Sequence, residues 1–135
     1  MNELNINFEQ LDKSAKDETK VDTVDSITKE LADFAKQIKD KTGKAGFLLP
    51  TTDNCGGWHF MNIAWSFGTK FMEEGKDGKW TATFDSPEFK AACEWLYDLK
   101  WNKNAIYTDK TAIANSDLGQ IFSAGQAAMV IYNPP

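Results

Sequence analysis

The sequence predicts a helix-rich α/β unit, and three observations carry that expectation. Val24, Ile27, Leu31, Phe34 and Ile38 recur at spacings of three and four among charged and amide residues, which is one face of an amphipathic helix. Residues 45–49 form a short, continuously apolar run ended by Pro50, and residues 127–132 form another. Runs of that length suit buried strands of an α/β sheet. Between them, Asp85-Ser86-Pro87-Glu88 reads as a helix start, with a capping oxygen, a proline near the first turn and an acid at the positive end.

In chain order, residues 1–22 are polar with scattered apolar positions (Leu4, Ile6, Phe8, Leu11) and read as a solvated N-terminal connection. The unit proper is expected over residues 23–135. Thr23 can cap the first helix, Lys39 and Lys41 favour its negative end, and Gly43 supplies its stop. After the first strand, residues 51–57 (Thr-Thr-Asp-Asn-Cys-Gly-Gly) read as a loop, and residues 58–67 as a helix apolar nearly all round, either buried or facing a cleft on one side. Residues 71–73 and 79–83 flank Glu-Gly-Lys-Asp-Gly as a small hairpin. The helix from Pro87 should run to about Trp101, with Phe89, Ala92, Cys93, Leu96 and Leu99 inward. Leu31, Phe34 and Ile38 should be nearly solvent-inaccessible against it. A polar loop to about residue 115, a short helix over 117–123 carrying Leu118, Ile121 and Phe122, a stop at Gly125 and the last strand complete the order.

Composition narrows the function. The 135 residues include 15 lysines, no arginine and 20 acids, a net charge of −5. Nucleic acid is a poor partner for such a chain, because its phosphates need clustered basic groups. No apolar run approaches the ~20 residues of a membrane span. The opening Met-Asn-Glu-Leu is polar, unlike a secretion signal, so in an exported protein the chain is expected to be mature or excised sequence. Cys55 and Cys93 form no CxxC and His59 is the one histidine, too few ligands for a structural zinc site, so no metal or cofactor is expected. Whether the cysteines pair is open at this level. A nucleophile triad lacks a base other than His59, and a lone histidine in an apolar helix is more often packed than catalytic. An acid such as Asp53 or Glu88 could serve a glycosidase, but Glu88 is better explained as a helix-start residue. Catalytic machinery is therefore hard to assemble from these residues.

The candidate site is the segment from Asp53 to His59. Gly56 and Gly57 let a ligand approach the backbone closely, Asp53 and Asn54 offer hydrogen-bonding groups of both kinds, and Trp58 offers a flat π-face. Sugars, with apolar C–H faces ringed by hydroxyls, match that combination. Composition alone is better served by a Trp58 that is core and a segment that is only a loop.

Several strings together resemble the extracellular solute-binding proteins that deliver sugars to ABC importers. They are Thr23-Val24-Asp25-Ser26 leading to Thr42-Gly43 and Gly46-Phe47; Gly57-Trp58 followed by Ala64-Trp65-Ser66-Phe67-Gly68; Thr83-Phe84-Asp85-Ser86-Pro87-Glu88, then Trp95-Leu96-Tyr97-Asp98-Leu99; and Phe122-Ser123-Ala124-Gly125-Gln126-Ala127-Ala128-Met129. They lie in register across residues 20–133. The resemblance implies a partial second lobe of a periplasmic-binding-protein-like (type II) fold, with the first lobe of the same protein as the opposite wall of an interlobe cleft. It implies a mono- or oligosaccharide ligand, the importer's membrane subunits as partners, and an extracellular, membrane-tethered lipoprotein (periplasmic in a two-membrane cell). Trp58 stands where a sugar-stacking aromatic opens the helix in maltose-type relatives, and His59 where a second aromatic often lies. The relatives' last strand runs into an Asn-Gly-Pro-Trp-like string whose Trp stacks on another ring. Here Tyr132-Asn133-Pro134-Pro135 puts Pro135 in that place, leaving Tyr132 as the aromatic that could compensate. A non-catalytic protein-interaction module and a binding protein for a non-sugar solute are the alternatives.

Overall fold

The computed structural model describes residues 24–132. The N-terminal connection, the Thr23 cap and residues 133–135 lie outside them. Helix α1 (Val24–Thr42) follows the expected periodicity and ends at Gly43, whose φ of +71° suits a residue without a Cβ. The Gly43 amide donates to the Lys39 carbonyl at 2.9 Å, and the Thr42 hydroxyl to the Ile38 carbonyl at 2.7 Å, so the helix's last carbonyls are not left unpaired.

Strand β1 (Ala45–Leu48) is buried along its whole length. It pairs in parallel with β4 (Ala127–Val130), in the register Ala45–Ala127, Phe47–Met129 and Leu48–Val130. On its other side Phe47 bridges Ile106 in parallel, so β1 is the central strand. A strand covered on both edges and both faces must be apolar throughout, which explains the uninterrupted run.

Helix α1 lies on β1 with backbone against backbone. A Cβ built at Gly46 would stand 2.2 Å from the Ala35 carbonyl oxygen. This contact corrects the expected core. At such an approach only small residues fit beneath the helix, so Ala32 and Ala35 are buried, whereas Leu31, Phe34 and Ile38 are displaced to the flanks and half-buried. Of the residues expected inside the later helix, Ala92 and Leu99 are buried, and Phe89 and Leu96 are half-buried.

Helix α2 (Asp53–Ser66) starts five residues earlier than expected and absorbs the segment taken for a loop. Glycines cost a helix about 1 kcal/mol each, so the sequence there argues for a break. Packing outweighs that cost: a Cβ at Gly56 would lie 3.2 Å from the Pro50 carbonyl oxygen, so glycine lets the helix pass the preceding turn closely. The expected hairpin is present as β2 (Met72–Glu74) and β3 (Trp80–Ala82), antiparallel and closed through Gly78 at φ +74°.

Helix α3 (Pro87–Tyr97) begins as the sequence indicates, with the Ser86 hydroxyl accepting from the Phe89 amide at 3.2 Å. It continues to Asn102 as a π-helical turn over Asp98–Asn102. The wider turn keeps Leu99 inward and leaves Trp101 exposed under the Lys100 ammonium, 4.7 Å from its ring centre. Cys93, expected inside, is exposed: Ala92, Trp95, Leu96 and Leu99 make up a narrow inward stripe, and position 93 falls beside it. Both cysteines are free thiols, Cys55 half-buried. Helix α4 (Asn115–Ser123) buries Leu118 and Ile121 and leaves Phe122 exposed; Gly125 at φ +64° turns the chain into β4. Two apolar clusters meet at β1. One unites Ala32, Ala35, Phe47, Ile63 and Leu99, and the other Ala45, Leu48, Ile113, Leu118 and Ile121.

Candidate ligand-binding face

The starts of α2 and α4 are tied together. The Ile113 carbonyl accepts from the Thr51 amide at 2.8 Å, the Thr52 amide at 3.2 Å and the Thr52 hydroxyl at 3.1 Å. In return the Ile113 amide donates to the Thr51 hydroxyl oxygen at 2.9 Å, and that hydroxyl donates to the Thr111 carbonyl at 2.7 Å. These bonds hold the exit of β1 against the segment leading into α4, next to the carboxyl ends of β1 and β4. In open α/β sheets that end of the strands is where ligands bind.

Asp53 opens α2 at φ +59°, in the left-handed region. Aspartate tolerates that conformation better than most residues, yet the strain persists only because its neighbours fix it, and such positions cluster at functional sites. Asp53, Asn54, Gly57 and Trp58 are all exposed within the first two turns of the helix. A Cβ at Gly57 would meet nothing within 4 Å, so the surface beside Trp58 is open backbone. Trp58 itself is 56% exposed. The structure thus answers the question the apolar helix left open: Trp58 is surface. Trp95 is the tryptophan that serves the core, with its indole N–H on the Thr28 carbonyl at 2.9 Å and its ring edge-on to Phe47 at 6.2 Å.

His59 departs from the exposed group. It is 2% exposed, and neither ring nitrogen has a hydrogen-bond partner among the described residues. With Ile63 one turn on, it forms the inward side of α2 and so fixes the rotation that turns Trp58 outward. Tyr132, after β4, is 46% exposed, and its hydroxyl lies over α4, 3.9 Å from where a Cβ at Gly119 would stand. The two aromatics therefore sit on the two tied elements, Trp58 on α2 and Tyr132 against α4.

Two contributors escaped the sequence reading. Asn62, one turn beyond Trp58, is exposed and donates to the Trp58 carbonyl at 3.2 Å. Asp117 stabilises the start of α4, accepting from the Ala114 amide at 2.8 Å and the Lys110 ammonium at 2.7 Å. Lys110, and after it the Ala114 amide, hold its carboxyl below the usual carboxylate range. The acid three residues after a helix start was the available signal for Asp117; Asn62 had none.

A family model for bacterial extracellular solute-binding proteins matches residues 9–135. The chain belongs to that family. Among solved structures it is similar to maltose-bound MalE3 of T. maritima, with a TM-score of 0.65 and 29% sequence identity over 76% of this chain and 25% of that one. The chain spans about a quarter of that structure's length. No curated protein matches it. The helix-rich α/β architecture expected from the sequence is that of this solute-binding family.

Proposed function

We propose that the chain supplies one wall of a sugar-binding cleft in the substrate-binding component of an ABC importer. The observation that carries this reading is the open, strained start of α2, where Trp58 is more than half exposed beside bare backbone at Gly57 and polar groups at Asp53 and Asn54. The likeness to a maltose-bound protein supports sugar as the ligand class. In this reading Trp58 stacks on a sugar ring, Asp53 and Asn54 bond its hydroxyls, and Gly57 admits the ring to the helix. Tyr132 offers a second face, and His59 acts from within by orienting α2.

The chain forms part of the second lobe, and the rest of the protein carries the first. Ligand bridging both lobes stabilises the closed state, which then docks on the importer's membrane subunits. The protein binds and releases without chemistry, outside the cell membrane and tethered to it by lipid.

Because one wall leaves much of the ligand wet, the 135-residue chain should bind maltose at about 0.1 mM or weaker. Titration with maltose, followed by NMR of the indole N–H groups, tests the site. The Trp58 signal should shift at millimolar sugar, and Trp58→Ala should weaken binding by ~1–3 kcal/mol with the fold intact. Shifts confined to other indoles, or an unfolded variant, would remove Trp58 from the site.

A further inference from the structure

Helix α2 carries a second exposed tryptophan on the side that carries the first. Trp65 is 50% exposed and stands two turns beyond Trp58 on the same helix. Seven residues of α-helix fall about 20° short of two full turns, so the two side chains leave the axis in nearly the same direction. Their Cα–Cβ bonds share one tilt, so the rise of about 10 Å over seven residues is also the spacing of the two side-chain bases. Exposed Asn54 begins the same stripe, and exposed Asn62 lies between the two tryptophans, its amide on the Trp58 carbonyl at 3.2 Å. The inward side of α2 is complete without Trp65, since His59, Ile63 and Ala64 are the residues the helix buries. Trp65 is nevertheless braced. Phe71 meets it edge to face at 6.0 Å, and Phe89 meets Phe71 in the same way at 6.0 Å. A bulky aromatic is thus fixed from the protein side while half of its surface stays in water.

We propose that Trp65 is a second stacking platform of the same site, and that its ligand is a linear oligosaccharide of three or more pyranose units in equatorial linkage. The inference rests on the sugar reading of Trp58 and deepens it by naming the ligand's length and shape. One aromatic platform grips one ring and cannot measure a chain. Two platforms about 10 Å apart are too far apart for adjacent rings and suit the first and third rings of an extended chain. In an equatorially linked chain each ring is turned over relative to the last, so every second ring presents the same apolar face, in a straight line. A chain with an axial bond at each link curls and carries its third ring off a straight stripe. Asn62 stands where the hydroxyls of the middle ring pass. Each stacked ring adds an anchor of the kind that dominates binding at aromatic contacts.

Indole N–H NMR titrations of the 135-residue chain test it, with cellobiose, cellotriose and maltotriose as probes. Cellotriose should shift the Trp58 and Trp65 signals together, with one constant, and should bind about fivefold or more tightly than cellobiose or maltotriose. Trp65→Ala should abolish that advantage and leave the affinity for cellobiose at Trp58 nearly unchanged, and Trp65→Phe should keep most of the advantage. The titrations of the unaltered chain read length and linkage by themselves, so they decide the matter even where Trp65→Ala fails to fold. If cellobiose shifts Trp58 while cellotriose leaves Trp65 unmoved or binds no more tightly, the second platform is overturned and the sugar site at Trp58 stands. Maltotriose binding as tightly as cellotriose overturns the equatorial linkage. Equal losses for cellobiose and cellotriose in Trp65→Ala make Trp65 a prop of α2 and overturn the proposal. If no sugar shifts Trp58, the sugar reading itself falls and this inference with it.

Discussion

Replacing Gly57 by alanine separates the fold from the site in one substitution. Position 57 is the fifth residue of the 14-residue α2, inside the helix and past its first turn. Alanine there is favoured over glycine by about 0.5–1 kcal/mol, because glycine loses more backbone freedom on folding. The added methyl meets no atom within 4 Å, so no clash offsets the gain. The variant should therefore be more stable by about 0.5–1 kcal/mol, a rise of roughly 2–6 °C in melting temperature for a chain of this size. The same methyl would stand where the proposed ligand lies against the helix beside Trp58, so maltose affinity should fall about threefold or more, near 0.7 kcal/mol. Urea and thermal melts followed by circular dichroism give the stability, and indole NMR titration gives the affinity. A loss of stability would refute the helix at residue 57. A gain in stability with unchanged affinity would refute close approach of ligand to Gly57 while leaving the fold intact.

Gly46→Ala should act in the opposite direction, costing ~1–3 kcal/mol or preventing folding, since its methyl would overlap the Ala35 backbone; denaturant midpoints measure it. Leu99→Ala should cost ~2–5 kcal/mol through lost transfer energy and a residual cavity, because Leu99 is fully buried. Stability should also fall in acid. Asp117 is held low by Lys110 and Ala114, Asp98 chiefly by the Asn102 amide, and Glu88 chiefly by its own backbone amide and then by Ser86. A carboxyl whose folded pKa is depressed contributes stability fully above its unfolded value of about 4 and loses it as pH falls through the folded value. Melts from pH 6 to pH 2 should show the loss below about pH 4, smaller in Asp117→Asn.

The elements legible in the sequence were those whose signal is local. The period of α1, the apolar runs of β1 and β4, the Ser86-Pro87 start of α3, the hairpin glycines and the Gly125 stop all report on a few neighbouring residues, and each element stands where they put it. What sequence reasoning missed depends on residues far apart in the chain. Gly46 beneath Ala35 decides that alanines and not Leu31 or Phe34 form the contact of α1. Gly56 beneath Pro50 decides that α2 begins before its glycines. The narrow inward stripe of α3 decides that Cys93 is exposed. At the site, residue types were visible and orientation was not. A helix apolar all round shows no outward side, and only the burial of His59 and Ile63 turns Trp58 to solvent.

That orientation bears on how a two-walled cleft can work. Closure as a rigid-body motion requires each wall to keep its shape while the walls move relative to each other. For the proposed wall, the bonds from Thr51 and Thr52 to Ile113 supply that rigidity at the junction of α2, which carries Trp58, and α4, against which Tyr132 lies. Micromolar affinity corresponds to about −8 kcal/mol, and a single stacking face with a few exposed hydrogen bonds reaches only part of it. In the proposed cleft the rest comes from the opposite wall, which engages only on closure. A wall that binds weakly alone but holds its contacts in fixed geometry makes ligand affinity depend on closure. The closed state, and not ligand contact by itself, is then the signal that an importer can read.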